Sequence, residues 1–379
     1  MHKVWFHAHL WLGWAAAMPL LIIAATGALL SFEEEFYRWE QPEHYALTPQ
    51  PDPIDVAGVL EILKSSGLYI NHLEVPDDPR QAYLAFASDA SPDGSQRGLR
   101  AYVDPNERKL TREYDNPTFI RKIEVWHRTL TAGRIGRWIV AGSSLSLAIV
   151  TMAGLVLWWR IKAGTLSRAA RRGSQLDWHN LVGVVGFIPL IILALTGVTF
   201  TWGPTLFPVM DRWVGRSSTP QISKIAPPPE ATGPIPIAQA VKSVARAFPG
   251  WKVRGVQDAR RGAPYRFMLR PPDTMHPGGT LQVFVNPYTG NEVGRWDIRE
   301  SGPVGWYRRY FYIAHTGHGF SPLARAGWAF ASLMSVALIV TGCWISIRRW
   351  TLRSGSRQGT LRVDQGESSA GQSVAPLKE

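Results

Sequence analysis

The chain has 379 residues, a formal net charge of +12 and a single cysteine. Its length alone would allow two or three soluble domains, but the near-zero mean hydropathy hides a segregated chain, with apolar runs of bilayer length alternating with polar stretches. The lone Cys343 excludes an intramolecular disulfide, a cysteine-held iron–sulfur cluster and covalent c-type haem, and cations banked beside the apolar runs exclude a nucleic-acid reading.

Four apolar runs are predicted to span a membrane: residues 10–32, 139–159, 181–202 and 328–347. The first is longer than a secretory signal core and has only Lys3 as a basic residue before it, so it is expected to be an uncleaved helix. Glu33, Glu34 and Glu35 follow it. Five cations and no acid lie between residues 160 and 172, and Arg348, Arg349, Arg353, Arg357 and Arg362 follow the fourth run. Positive charge marks the cytoplasmic side, so both termini are expected inside and both long loops outside. Tryptophans 11, 14, 138, 158, 159, 178, 202, 328 and 350 flank or end the runs, where indole prefers the interface.

The first run opens on His9-x3-Gly13-x5-Pro19-Leu20-x5-Thr26-Gly27. The third opens on His179-x3-Gly183-x5-Pro189-Leu190-x5-Thr196-Gly197, at a constant offset of 170. His127 before the second run and His315 before the fourth match at an offset of 188, as do Gly154 with Gly342 and Arg160 with Arg348. The expected fold is therefore a membrane α-helical four-helix transmembrane bundle built from two parallel helix–loop–helix repeats, related by a pseudo-two-fold axis along the membrane normal. In chain order the segments are helix one (1–32), a first outside module (33–126), helix two (127–160), a cytoplasmic link (161–176), helix three (177–203), a second outside module (204–314), helix four (315–350) and a Ser-, Gly- and Gln-rich tail expected to be disordered (351–379).

Each outside loop reads as a small α+β module. An amphipathic helix comes first, carried by Val56, Val59, Leu60 and Leu63 in one and by Ile237, Ala240, Val241 and Val244 in the other. Strand-like runs follow at 82–87 and 98–103, and at 265–269 and 281–285, each pair closing on a turn at Asp104-Pro105 or Asn286-Pro287-x-Thr289-Gly290. Residues 226–236 read as a proline-rich linker.

The pseudo-two-fold axis sets His9 opposite His179 and His127 opposite His315. Each pair offers two imidazole nitrogens on opposite sides of a planar cofactor, which suits two bis-histidine haem b groups. A zinc ion would lack two ligands at either pair. Glycines 13, 183, 154 and 342 give either close helix packing or room for a flat macrocycle, and Pro19 and Pro189 are expected to kink their helices. His7 and His318 are reserve ligands, whereas His2, His44, His72 and His276 are expected to face solvent. Met152 and Met334 lie in helices two and four, where they could in principle be axial ligands, but methionine in a bundle more often packs. Arg128, Arg134, Arg137, Arg308, Arg309 and Arg325 crowd the outer ends of helices two and four, where one or two of them, Arg128 and Arg309 among the candidates, are expected to pair with haem propionates. Nucleotide-binding and nucleophile-elbow motifs are missing, and the four runs hold no acid.

With these motifs in place, residues 1 to about 350 resemble the PepSY-associated transmembrane proteins, also called iron-regulated membrane proteins. The resemblance is carried by His9-x3-Gly13, His127, His179-x3-Gly183, His315 and the two turn motifs. Within that group the chain is most similar to bacterial inner-membrane ferric-siderophore (ferrioxamine) reductases. The resemblance implies PepSY-like periplasmic modules, haem in the membrane and release of Fe(II) from a ferric siderophore in the periplasm. It also implies an electron donor, such as a quinol or a flavin carrier. Two other readings stay open: a membrane-anchored regulatory or binding protein, and a siderophore permease.

Overall fold

The computed structural model describes residues 2–370 apart from 91–95, 115–117, 160, 162–163, 215–221, 223, 231–232, 260–261, 273–278, 301 and 319; of residues 90, 96, 165–166, 172, 309 and 353–370 it describes the backbone only. Helix α1 (His2–Leu30) is followed by α2 (Glu33–Glu40), α3 (Pro42–Tyr45) and α4 (Val56–Ser65). Strands β1 (Tyr69–Glu74), β2 (Tyr83–Ala90), β3 (Gln96–Asp104) and β4 (Lys109–Glu113) come next. Helices α5 (Phe119–Thr129), α6 (Gly133–Trp159), α7 (Thr165–Arg172), α8 (Gln175–Val185), α9 (Phe187–Val214) and α10 (Ile237–Ala247) then lead to β5 (Lys252–Gln257), β6 (Tyr265–Arg270), β7 (Leu281–Val285) and β8 (Glu292–Asp297). The chain ends on α11 (Gly302–Thr316) and α12 (Pro322–Ala370).

Among the described residues four helices are long and apolar enough to cross a membrane: His2–Leu30, Gly133–Trp159, Phe187–Val214 and Pro322–Leu352. Their outward side chains suit lipid. Met18 is 70 % exposed, Ile188 68 % and Phe330 63 %, which would be costly in water and costs nothing in hydrocarbon.

The chain falls into two units, one of residues 1–25, 142–195 and 330–379 and the other of residues 26–141 and 196–329. In the first unit, the third apolar run is not one helix. It breaks at Gly186, so His179 rides on α8 while the membrane-length helix starts at Phe187. Met334 packs there, its Cε only 3.0 Å from where a side-chain carbon on residue 186 would stand. Pro189 falls in the first turn of α9, where the missing N–H has no helical partner to lose. Pro19 lies inside an uninterrupted α1. The segment expected as a disordered tail continues α12 as helix to Ala370; no proline interrupts it after Pro322. Residues 371–379 lie outside the described part.

The second unit holds one antiparallel sheet in the order β4-β3-β2-β1-β5-β6-β7-β8. The two modules expected as separate thus share a sheet, joined where Leu73 pairs with Val256 and Glu74 with Gly255. Helices α4 and α10 pack side by side over one face. Val59, Leu60, Leu63, Val241 and Val244 bury against Ile70, Leu73, Ala85, Ala101, Phe267 and Val283. Alternation, shifted once by the irregularity between Ile70 and His72, places these strand residues on one side, and the β-branched and aromatic ones among them favour the pleated backbone. Asp55 caps α4 by accepting from the Gly58 N–H at 2.9 Å.

The two turn motifs differ in one respect. Asp104 and Asn286 both accept from backbone N–H groups two and three residues on. The left-handed position that follows is Gly290 (φ 75°) in one turn and Arg108 (φ 56°) in the other. A side chain there costs roughly 1 kcal/mol that glycine avoids. Arg108→Gly is therefore expected to raise stability by up to about 1 kcal/mol, read as a higher thermal-unfolding midpoint; an unchanged or lower midpoint would refute it.

Candidate functional site

The inner histidine pair lies in the first unit. His9 on α1 and His179 on α8 stand with ring centroids 6.2 Å apart and ring planes at 89°. The Nδ1 of His9 is 2.9 Å from the Val150 carbonyl of α6. A carbonyl only accepts, so this nitrogen carries the proton and Nε2 carries the lone pair. His179 reaches the same state by a different anchor. Its Nδ1 is 2.9 Å from Thr341 Oγ1 of α12, and that hydroxyl donates to the Ala337 carbonyl at 2.7 Å. The hydroxyl oxygen thus accepts from Nδ1–H, and Nε2 again holds the lone pair. Neutral imidazole with Nδ1 anchored is the form that ligates a metal through Nε2.

Glycines make room for these rings. A Cβ on Gly154 would stand 3.2 Å from His9 Cε1, and one on Gly342 would stand 3.3 Å from His179 Cε1. Positions 154 and 342 therefore admit the imidazoles themselves. The space beside Gly13 is open for 4 Å, and Leu338 approaches Gly183 to 3.7 Å.

The outer pair lies in the second unit. His127 on α5 and His315 on α11 have ring centroids 6.1 Å apart and planes at 57°. Their Nδ1 atoms meet Thr26 Oγ1 at 3.1 Å and Thr196 Oγ1 at 2.8 Å. Thr26 and Thr196 are buried, and Phe200 packs on the His315 ring at 5.1 Å. Both threonines recur in the sequence motif, but the motif alone gave them no role. The available signal was a hydroxyl repeated at one position of two apolar runs. Helix α5 is also held at its start, where Glu40 accepts from the Phe119 N–H at 2.6 Å and the Ile120 N–H at 3.1 Å, an acid at the positive end of a helix.

Each pair could offer two nitrogen donors to one metal ion held between the rings. Two metal–nitrogen bonds of about 2.1 Å plus two imidazole radii of about 1.1 Å put ring centroids roughly 6.4 Å apart, close to both observed spacings. Plain aromatic contact spans the same range. What goes beyond contact is that all four Nδ1 atoms are anchored and that glycine clears the way for two of the rings. Among the described residues no group of three or more His, Cys, Asp or Glu is placed to hold a metal ion, so neither pair extends to a zinc-type ligand set.

The reserve residues are placed elsewhere. His7 is exposed beside Phe6. His318 lies 3.6 Å from Glu34 and close to Tyr312. Arg128 donates to Glu124 at 2.6 Å, Arg308 to Asp211 at 2.8 Å and Arg325 to Glu35 at 2.8 Å, so these arginines already hold carboxylates of the chain. Arg134 and Arg137 are exposed, and the side chain of Arg309 lies outside the described part. His44 corrects the expectation of a solvent-facing ring: it is 5 % exposed, stacked on Tyr102 at 3.9 Å and 3.4 Å from Glu113. His72 is half-buried with its Nδ1 enclosed, and His276 lies outside the described residues.

Glu33, at the start of α2, stands out among acids that have cationic partners. Glu34 has Arg38 at 3.9 Å, Glu35 has Arg325, and Glu124 has Arg121 and Arg128. Burial first, and then the Glu124 carboxylate, raise the Glu33 carboxyl from 4.5 to about 7. A carboxyl raised in the folded state favours the protonated form there. It costs stability progressively as pH rises from about 4.5 to 7, and the cost is complete above that window. Glu33→Gln is thus expected to melt higher than the parent near pH 8, with the gap closing toward pH 5. A gap that widens on acidification would show the sign to be wrong.

The family model of the PepSY-associated TM region matches residues 6–349. The chain belongs to this family. The matched span holds His9, His127, His179 and His315, and with the four long apolar helices it makes this PepSY-associated chain a membrane protein. A search of the curated proteins finds no match.

Proposed function

We propose that this PepSY-associated protein is an inner-membrane di-haem b oxidoreductase that passes electrons to ferric siderophores in the periplasm and releases Fe(II). The observation that carries the reading is the set of four histidines in two facing pairs, each Nδ1 bonded to a backbone carbonyl or a threonine hydroxyl. When bound, haem b supplies one-electron Fe(III)/Fe(II) chemistry. His9 and His179 would hold the inner group, His127 and His315 the outer one. The chain's own contribution is to orient imidazoles and to set the basicity of Nε2. A carbonyl accepting from His9 makes that ring a stronger donor than a threonine hydroxyl does, so the ligands of the inner pair are not equivalent. Reduction releases iron because Fe(II), carrying less charge, binds hard oxygen donors more weakly than Fe(III). Each iron takes one electron, and a two-electron donor such as a quinol serves two irons.

The test uses the full chain in lipid vesicles. A ferric hydroxamate chelate is added to chemically reduced protein with a colorimetric Fe(II) trap. Trapped Fe(II) in proportion to protein supports the proposal. Reoxidation of the protein without Fe(II), or no reaction, contradicts it.

A further inference from the structure

The sheet has two chemically different faces. One lies under α4 and α10 and is apolar. The other carries cations. On β6 the buried Tyr265, Phe267 and Leu269 alternate with Arg266, Met268 and Arg270. Neighbouring strands extend this second face. Arg100 pairs opposite Phe86, Phe86 opposite His72, Gln257 opposite Arg266, and Arg266 opposite Phe284. The guanidinium of Arg100 lies 5.9 Å from the Phe86 ring centre and that of Arg266 lies 5.8 Å from the Phe284 ring centre. Each half of the sheet thus presents an arginine against a phenyl ring.

Arg266 differs from its neighbours in charge pairing. Arg254 and Arg270 share the carboxylate of Asp77. Arg266 instead donates to two neutral amides, Gln257 Oε1 at 3.4 Å and Gln282 Oε1 at 2.5 Å. Its Nε is buried without a hydrogen-bond partner, and so is the Nδ1 of His72. Burial lowers the Arg266 pKa, and burial first, then the Arg266 charge, lowers that of His72. Among the described residues no acid pairs with Arg266, and a half-buried guanidinium without a counter-charge is costly unless an anion completes it. Glu74 on β1 is within electrostatic reach of Glu124 on α5, and Tyr312 on α11 is within reach of Glu74.

We propose that this second face, centred on Arg266 and His72, docks a ferric chelate that presents anionic carboxylate oxygens. Arg266 takes an oxygen pair in the bidentate manner of guanidinium and carboxylate. Phe86 and Phe284 flank the charged groups and limit water. That the metal is iron rests on the reductase reading; recognition of the oxyanion does not.

Gallium(III) citrate tests the proposal, because gallium carries the charge of Fe(III) and is not reduced under these conditions. Binding to the full chain is followed by titration calorimetry. The Kd is expected to weaken about tenfold or more in Arg266→Gln and to recover in part in Arg266→Lys, with unchanged far-ultraviolet circular dichroism in both. Equal affinity of Arg266→Gln and the parent would overturn the docking face. Metal-free citrate binding as tightly as the chelate would overturn the chelate assignment. Arg266-dependent binding by a chain that carries no haem would support the docking face while removing the reductase reading.

Discussion

Replacing His315 by alanine is expected to lower haem b from two groups per chain to one. His315 stands 6.1 Å from His127, ring to ring, and Thr196 fixes its Nδ1 at 2.8 Å. Alanine removes one of the two ring nitrogens of the pair and leaves only His127 to ligate. Nearby groups do not replace it: His318 is turned to Glu34 at 3.6 Å. The inner pair lies in the other unit and uses none of these residues, so its haem is expected to remain. Haem per chain by pyridine haemochrome assay decides the matter. One haem in His315→Ala, and two in His318→Ala, agree with the assignment. Two haems in His315→Ala would place the outer ligand elsewhere.

Gly342→Leu is expected to empty the inner site while leaving every histidine in the sequence. A Cβ at position 342 would already stand 3.3 Å from His179 Cε1, and the rest of a leucine side chain needs the volume of the ring. Losing the alignment of a ligating histidine through its surroundings typically weakens metal binding about 10- to 100-fold; direct steric displacement of the ring goes further. Haem content is expected to fall from two to one. Gly342→Ala, which asks the ring to shift by only a few tenths of an ångström, should keep both groups with an altered reduced spectrum. Full haem loading in Gly342→Leu would show that His179 is not a ligand.

The sequence made the pairing of histidines legible because offsets of 170 and 188 recur across several residue types at once. The strands were legible where alternation is clean. Residues 281–285 coincide with β7, β3 and β6 only extend beyond the expected runs, and β2 starts one residue after its expected run and continues past its end. β1, β4, β5 and β8 are not legible in the sequence because polar side chains on the second face and at the edges break their hydrophobic pattern. The seam between β1 and β5 is not legible either, since it joins residues far apart in sequence through a short register. Hydropathy could not see the break at Gly186, where apolar residues continue without a gap. The burial of His44 depends on Glu113 and Tyr102, distant partners that no local pattern announces. Thr26 and Thr196 were visible as repeated residues, but their role needed the placement of α5 and α11.

Whether the two histidine pairs each hold a haem is tested most directly by a reduced-minus-oxidised spectrum of the purified chain, calibrated by pyridine haemochrome assay. The expected result is the α and β bands of six-coordinate low-spin haem b at two groups per chain. A chain without those bands, or one in which the four variants His9→Ala, His127→Ala, His179→Ala and His315→Ala all retain two haems, would contradict the assignment.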